Sequence, residues 1–140
     1  MQITLRPAVA QDFEYCKRLY LSGMSKIIDE LNLDRTAQAA GLQQQWVLTE
    51  VHIITLDGSD VGWLQTKTQD DELFVAQLFV DTPFQRRGIG KQLLRRTRAE
   101  LGEHCTLVLL AAPAAGDYYP HLHFEHHPQA WILRPGAILP

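Results

Sequence analysis

Leu78-Phe79-Val80-Asp81-Thr82-Pro83-Phe84-Gln85-Arg86-Arg87-Gly88-Ile89-Gly90-Lys91 joins an apolar run to an amphipathic one through a loop that holds two glycines. Leu73 to Val80 is rich in Val and Phe and broken only by Gln77, the pattern of a central, buried strand; Asp81-Thr82-Pro83 ends it. From Gly88 to Leu101, Ile89, Leu93, Leu94, Thr97 and Leu101 recur at helical spacing, with Arg95, Arg96 and Arg98 mostly outside that face. A strand, a glycine loop and a helix in succession leave unpaired N–H groups at the positive end of a helix dipole, which suits an anion. Gly88 and Gly90 let the backbone approach a phosphate with no Cβ between them.

Two familiar phosphate loops do not fit. A Walker A loop needs Gly where Gln85 stands and Ser or Thr where Gln92 stands. A dinucleotide fingerprint needs a third Gly at the position of Leu93, and a preceding parallel βαβ context that the chain lacks.

Outward from the loop, strands and helices alternate. Ile3 and Leu5 predict a short strand stopped by Pro7, and Phe13, Cys16, Leu19, Tyr20 and Met24 predict a helix over 11–24. Ser25 to Trp46 reads as helical or irregular, with Thr36 to Trp46 the better helix. Strands over roughly 50–56 and 60–67 flank Asp57-Gly58-Ser59-Asp60, a hairpin signal, and Gln69 to Glu72 is a second polar turn. Beyond the central helix come a buried strand at Thr106 to Leu110, a short helix near 114–122 and a last strand near 129–134. This is a mixed α/β layer structure in a single domain, 1–140.

At 140 residues with 46% hydrophobic and 21% charged, the chain is long enough to bury its own core. Thirteen Lys and Arg against sixteen Asp and Glu leave a net charge of −3, which disfavours a nucleic-acid binder, although six of the thirteen basic residues fall between 86 and 98. Cys16 and Cys105 lack CxxC spacing and read as two buried thiols in a reducing cytoplasm. Neither a signal peptide at Met1 to Pro7 nor a membrane span is expected, the longest apolar run, Leu107 to Ala115, being about half a span.

Gln85-Arg86-Arg87-Gly88-Ile89-Gly90 resembles the Gln/Arg-x-x-Gly-x-Gly/Ala signature of the GCN5-related N-acetyltransferases. Leu5-Arg6-Pro7-Ala8 with Asp12 looks like that family's opening strand and first helix, Asp57-Gly58 with Val61-Gly62 like its β-hairpin, and Tyr118-Tyr119 with Phe124 like its C-terminal aromatic segment. The likeness covers nearly the whole chain and implies a mostly antiparallel sheet of six to seven strands, flanked by about four helices, in which the bulged central strand splays from its neighbour. It also implies acetyl-coenzyme A as donor and a primary amine, small molecule or peptide, as acceptor, joined by direct attack in a ternary complex. The pyrophosphate would sit on Gln85, Arg86, Arg87, Gly88, Ile89, Gly90 and Lys91, and the pantetheine arm would pair with the backbone of Leu78, Phe79 and Val80.

The same resemblance makes Tyr119 the acid that protonates the leaving thiolate, beside the cofactor's sulfur. For the base it offers Glu72, with Asp71 and a water chain as competitors. Acceptor contacts are expected from Met24, Asp29, Glu30, Trp46 and Trp131. Four of the six histidines fall in His121 to His127, but adjacent His126 and His127 point oppositely in a strand, and no metal is expected. His123 stands where the family usually has Gly, which puts the left-handed turn there in question, although His tolerates that conformation better than a branched residue. Neither Cys16 nor Cys105 is expected to act as a nucleophile, and Ile138 and Leu139 are compatible with a homodimer. The alternative reading is a coenzyme A-sensing domain without turnover.

Overall fold

Asp57 and Gly58 both take positive φ, 49° and 87°, as a two-residue hairpin turn requires. They join β2 (Val51–Leu56) to β3 (Ser59–Gln69). The turn is tighter than the expected 57–60 because Ser59 already pairs with Leu56. The structure, a computed structural model, describes residues 2–69, 72–101 and 117–126, and for Gln69, Glu72, Leu73, Phe74 and Leu101 the backbone. The chain divides into two compact units, Met1–Gln92 and Leu93–Pro140.

In the first unit, β1 (Ile3–Pro7), β2, β3 and β4 (Glu72–Val80) form a four-stranded sheet in that order, each neighbouring pair antiparallel. Three helices precede β2: α1 (Phe13–Gly23), α2 (Ser25–Glu30) and α3 (Arg35–Gln45), the last capped by Asp34, whose side chain accepts from the Thr36 amide at 2.9 Å. α4 (Ile89–Leu101) follows β4. Sheet and helices make the expected mixed α/β arrangement. The strands expected at 106–110 and 129–134, and any neighbour from which β4 splays, lie outside the described residues. Among the described residues β4 ends the strand order rather than lying within it, with Val75 and Leu78 exposed.

Strand alternation puts Val51, Ile53 and Trp63 on one face, and α1 and α3 cover it with Cys16, Leu19 and Leu42. Phe79 of β4 stacks on Trp63 with ring centroids 5.5 Å apart and meets Tyr20 edge-on at 5.5 Å. Two register shifts interrupt the ladders. Val61 is the extra residue of β3 against β2, and Ala76 the extra residue of β4, between the pairs Gln65–Gln77 and Thr66–Val75.

Arg6 ties the start of the chain to the sheet. Its guanidinium donates to both Asp12 carboxylate oxygens, at 2.9 and 3.0 Å, and to Asp60 of β3 at 2.8 and 3.2 Å. Asp12 in turn accepts from the Val9 amide at 2.8 Å. The Arg6 hydrogen bond holds the Asp12 carboxyl below its ordinary value. A depressed carboxyl stabilises the fold above its unfolded value and loses that contribution as pH falls through the folded one. Unfolding free energy measured with urea should therefore drop between about pH 5 and pH 2, and drop less in Arg6→Met.

Gly62 on β3 has no room for a side chain against β4. A Cβ there would collide with the Phe79 carbonyl oxygen and lie 3.1 Å from the Val80 Cα, both backbone atoms that cannot rotate away. Gly62→Ala should cost about 1–3 kcal/mol in urea unfolding by forcing the strands apart, and a loss under about 0.5 kcal/mol would show that the ladder yields freely.

Candidate functional site

The ladder of β4 stops where the chain turns away. The Asp81 amide donates to Val61 at 2.8 Å, and a single 3-10 turn follows over Thr82–Phe84 with Pro83 inside it. The Gln85 side chain then reaches back, its Nε2 donating to the Val80 carbonyl at 2.8 Å, so that the loop is closed by its own first residue. Arg86 and Gly88 both adopt left-handed φ, 61° and 80°. These two reversals swing the backbone into the start of α4, whose first turn is closed by the Gln92 amide on the Gly88 carbonyl at 3.0 Å.

As a result, the amides of residues 86–91 donate to no acceptor among the described residues. Six successive N–H groups at the head of a thirteen-residue helix form a donor array with a favourable dipole. A Cβ built on Gly88 meets nothing within 4 Å, so the space beside this backbone is open. The exposed side chains of Arg86, Arg87 and Lys91 surround it, and none is ion-paired among the described residues. The Arg87 guanidinium lies over the Phe84 ring at 5.3 Å. Such a surface attracts a polyanion, with an attraction that salt screens.

Leu78, Phe79 and Val80 lead directly into this loop. Leu78 is exposed, while Phe79 and Val80 are half-buried. Alternate backbone groups of an antiparallel strand point away from its partner, and among the described residues no strand takes those of β4 on the side away from β3.

Further along the Trp63 face the apolar layer gives way to a polar row. Gln65 is 1% exposed, and its Nε2 donates to the Gln45 carbonyl at 2.8 Å and to Glu50 Oε1 at 3.0 Å. Its Oε1 has no donor among the described residues. Gln65 lies opposite Gln77, beside the Ala76 bulge. The sequence carried a signal for this row, since the alternation Val61, Trp63, Gln65 sets one polar residue at a buried phase, but nothing in it brings Glu50 to the same place.

The expected acceptor residues fall on different elements. Met24 caps α1, its amide on the Tyr20 carbonyl at 2.9 Å. Asp29 and Glu30 are exposed on α2, 3.5 Å from Arg35 and 3.9 Å from Lys26. Trp46 meets Phe13 edge-on at 5.4 Å against the core, and Trp131 lies outside the described residues. Glu72 opens β4, paired with Gln69, and Asp71 lies outside the described residues. Cys16 is fully buried and burial pushes its thiol up to about 11, the opposite of an activated nucleophile; Cys105 lies outside the described residues.

In the second unit the expected helix near 114–122 is, over its described part, a turn at 117–119 and a 3-10 turn, Pro120–Leu122. Tyr119 caps that turn, and its carbonyl accepts from the Leu122 and Phe124 amides at 2.9 and 3.1 Å. Its ring is held edge-on by Tyr118 at 5.4 Å and Phe124 at 5.5 Å. His123 takes φ 65° and ψ 26°, so the left-handed turn forms with His in place of Gly. His121, His123, Glu125 and His126 are exposed.

A family model described as an acetyltransferase (GNAT) domain matches residues 46–126, more than half of the chain, and the chain belongs to that family. Solved structures share the fold at low identity. A possible acetyltransferase from Clostridium difficile 630 is 16% identical with a TM-score of 0.64, over 96% of this chain and 97% of that one. A GCN5-related N-acetyltransferase from Ralstonia eutropha JMP134 is 19% identical with a TM-score of 0.58, over 96% and 100%. AAC(6')-Iy, in complex with the bisubstrate analog CoA-S-monomethyl-acetylneamine, is 17% identical with a TM-score of 0.55, over 96% and 98%. No curated protein matches the chain by sequence.

Gly88 differs from Gly62 in why it is needed. Its surroundings have room for a methyl group but its φ is left-handed, so Gly88→Ala should cost about 1–2 kcal/mol through backbone strain alone. Thermal unfolding measures this, and an unchanged midpoint would mean that the loop relaxes to another conformation.

Proposed function

We propose that the chain transfers the acetyl group of acetyl-coenzyme A to a primary amine by direct attack, both substrates being bound together. The observation that carries this is the run of six amides over residues 86–91, which donate to no acceptor among the described residues, beside the open face of Gly88. A diphosphate has the acceptors and charge that such an array lacks. Arg86, Arg87 and Lys91 add attraction to the phosphates, Gln85 holds the loop closed from within, and Ile89 and Gly90 contribute amides from the first turn of α4. The pantetheine amides pair with Leu78, Phe79 and Val80 on the side of β4 away from β3, and an N–H near the Ala76 bulge faces the charge that develops on the thioester oxygen. The bisubstrate complex of AAC(6')-Iy supports the same pairing of coenzyme A with an amine, as that protein's ligand.

The departing thiolate takes a proton from Tyr119, whose clamped ring suits a fixed donor. Before it attacks, the amine must lose a proton. Glu72 is four residues from the bulge, about 13 Å along the strand, so a proton it takes arrives through water. Met24, Asp29, Glu30, Trp46 and Trp131 border the acceptor in this reading, with the two carboxylates drawing a cationic amine. The two units act as one domain, 1–140, with further strands bringing the sheet to six or seven. A buried free thiol at Cys16 fits a reducing cytoplasm, and among the described residues no helix is long and apolar enough to cross a membrane.

Calorimetry with coenzyme A, paired with thiol release from acetyl-coenzyme A, tests the reading. The amine panel holds a polyamine, a lysine peptide, a peptide with a free N-terminus and an aminoglycoside. Binding should weaken with salt, and Gly88→Ala should weaken it about tenfold. Tyr119→Phe should keep the affinity and lower kcat about 10²-fold. Absence of binding sinks the reading; tight binding without turnover of any amine turns it into that of a coenzyme A sensor.

A further inference from the structure

The side chain of Gln65 has one orientation open to it. Both partners of its Nε2, the Gln45 carbonyl and the Glu50 carboxylate, are acceptors, so reversing the amide would set oxygen against oxygen at 2.8 and 3.0 Å. Both N–H bonds are therefore spent and Oε1 is committed as an acceptor, yet it is buried with no donor among the described residues. Leaving such an atom unpaired costs about 1–3 kcal/mol. Beside it the Glu50 carboxylate is partly buried and receives the Gln65 amide. A free carbonyl oxygen and an anionic carboxylate side by side lack a group that brings several N–H bonds and positive charge.

This row adjoins the proposed reacting centre. Gln65 and Gln77 are cross-strand partners and so share a face, with Cα atoms about 5 Å apart, and Ala76 is the bulge. Glu72 lies about 13 Å along β4 from that bulge. We propose that Glu50, positioned by Gln65, takes the proton from the acceptor's ammonium group, a role that rests on the acetyl-transfer reading above. The ammonium donates one N–H to Gln65 Oε1 and gives a proton to Glu50. The neutral nitrogen then forms a bond to the thioester carbonyl carbon as the C–S bond breaks. Sulfur leaves with the electron pair, and the second proton of the nitrogen replaces the one that Tyr119 delivers to the thiolate. Glu50 releases its proton to solvent.

The other titratable groups on elements around Glu50 are His52 on β2, Asp60 and Lys67 on β3, Glu14, Tyr15, Cys16, Lys17, Arg18 and Tyr20 on α1, and Arg35 on α3, which ends in Gln43, Gln44 and Gln45. None is within ion-pair distance of Glu50 among the described residues.

The test is the pH profile of kcat/KM for the amine that the panel selects, in wild type, Glu50→Gln and Glu72→Gln, with coenzyme A affinity and thermal midpoint measured alongside. Glu50→Gln should lower kcat/KM about 10²-fold at pH 7, and its rate should climb about tenfold per pH unit toward the amine's own pKa, while coenzyme A affinity stays within twofold. In Glu50→Ala, added formate should restore part of the rate, which a merely structural loss would not allow; this variant also carries the test should Glu50→Gln fail to fold. A wild-type profile in Glu50→Gln, a loss equal at every pH, no rescue by formate, or a profile shifted by Glu72→Gln alone each overturns the assignment. A wild type that binds coenzyme A and turns over no amine removes the transfer reading first, and this one with it.

Discussion

The β3–β4 ladder is the constraint on which the rest of the molecule depends. Gly62 lets the two backbones close to a distance that no side chain would allow, and the Trp63–Phe79 stack fills the next row on the helix face. One row further, the same register sets Gln65 against Gln77 and forces Ala76 out as a bulge. At its end the ladder passes the chain, through the Asp81 amide on Val61, into the glycine loop. A slip of one residue would turn Phe79 out of the aromatic cluster and Gln65 out of its row together, so packing and site are fixed by one pairing.

The loop itself is unusual in what it leaves undone. Backbone N–H groups are normally matched, and a chain of these residues had other ways to finish the strand. Here Gln85 satisfies the Val80 carbonyl, Pro83 brings no donor, and with left-handed turns at Arg86 and Gly88 the amides of 86–91 meet no acceptor among the described residues. Under the acetyl-transfer proposal a diphosphate meets that need, because its charge also answers the dipole of α4.

Much of this was legible before any coordinates. Helix and strand positions follow from apolar spacing, and the Asp57-Gly58 dipeptide and the Gln85-to-Gly90 run are local signals whose physics acts within a few residues. What failed to show depends on which groups end up paired. The hairpin turn read as four residues long because Ser59 and Asp60 are polar, but pairing with β2 overrides their turn preference. Leu73 to Val80 read as a central strand from its apolar run; among the described residues β4 ends the strand order with Val75 and Leu78 exposed, and the neighbour expected beyond it lies outside those residues. His123 adopts the conformation that Gly favours because the two carbonyls around it, of Tyr119 and Pro120, accept the Phe124 and His123 amides. Glu50 and Gln65 lie fifteen positions apart in sequence and meet only because β2 and β3 pair.

Under the proposals above, β4 separates two opposite kinds of hydrogen-bonding group. At its C-terminal end stand donors, the amides of 86–91 with three cations. Beside its bulge stand acceptors, the Gln65 oxygen and the Glu50 carboxylate. From Gln77 to Val80 is about 10 Å of strand, a distance an extended pantetheine arm covers while keeping its amides in register with Leu78 to Val80. Acyl transfer from a diphosphate-bearing thioester to a cationic amine needs that separation: merged, the two groups would neutralise each other, and neither substrate would find its partner. The strand that spaces them also supplies the backbone between them, so in this reading donor site, acceptor site and the track joining them are consequences of one extended segment held on one side by β3.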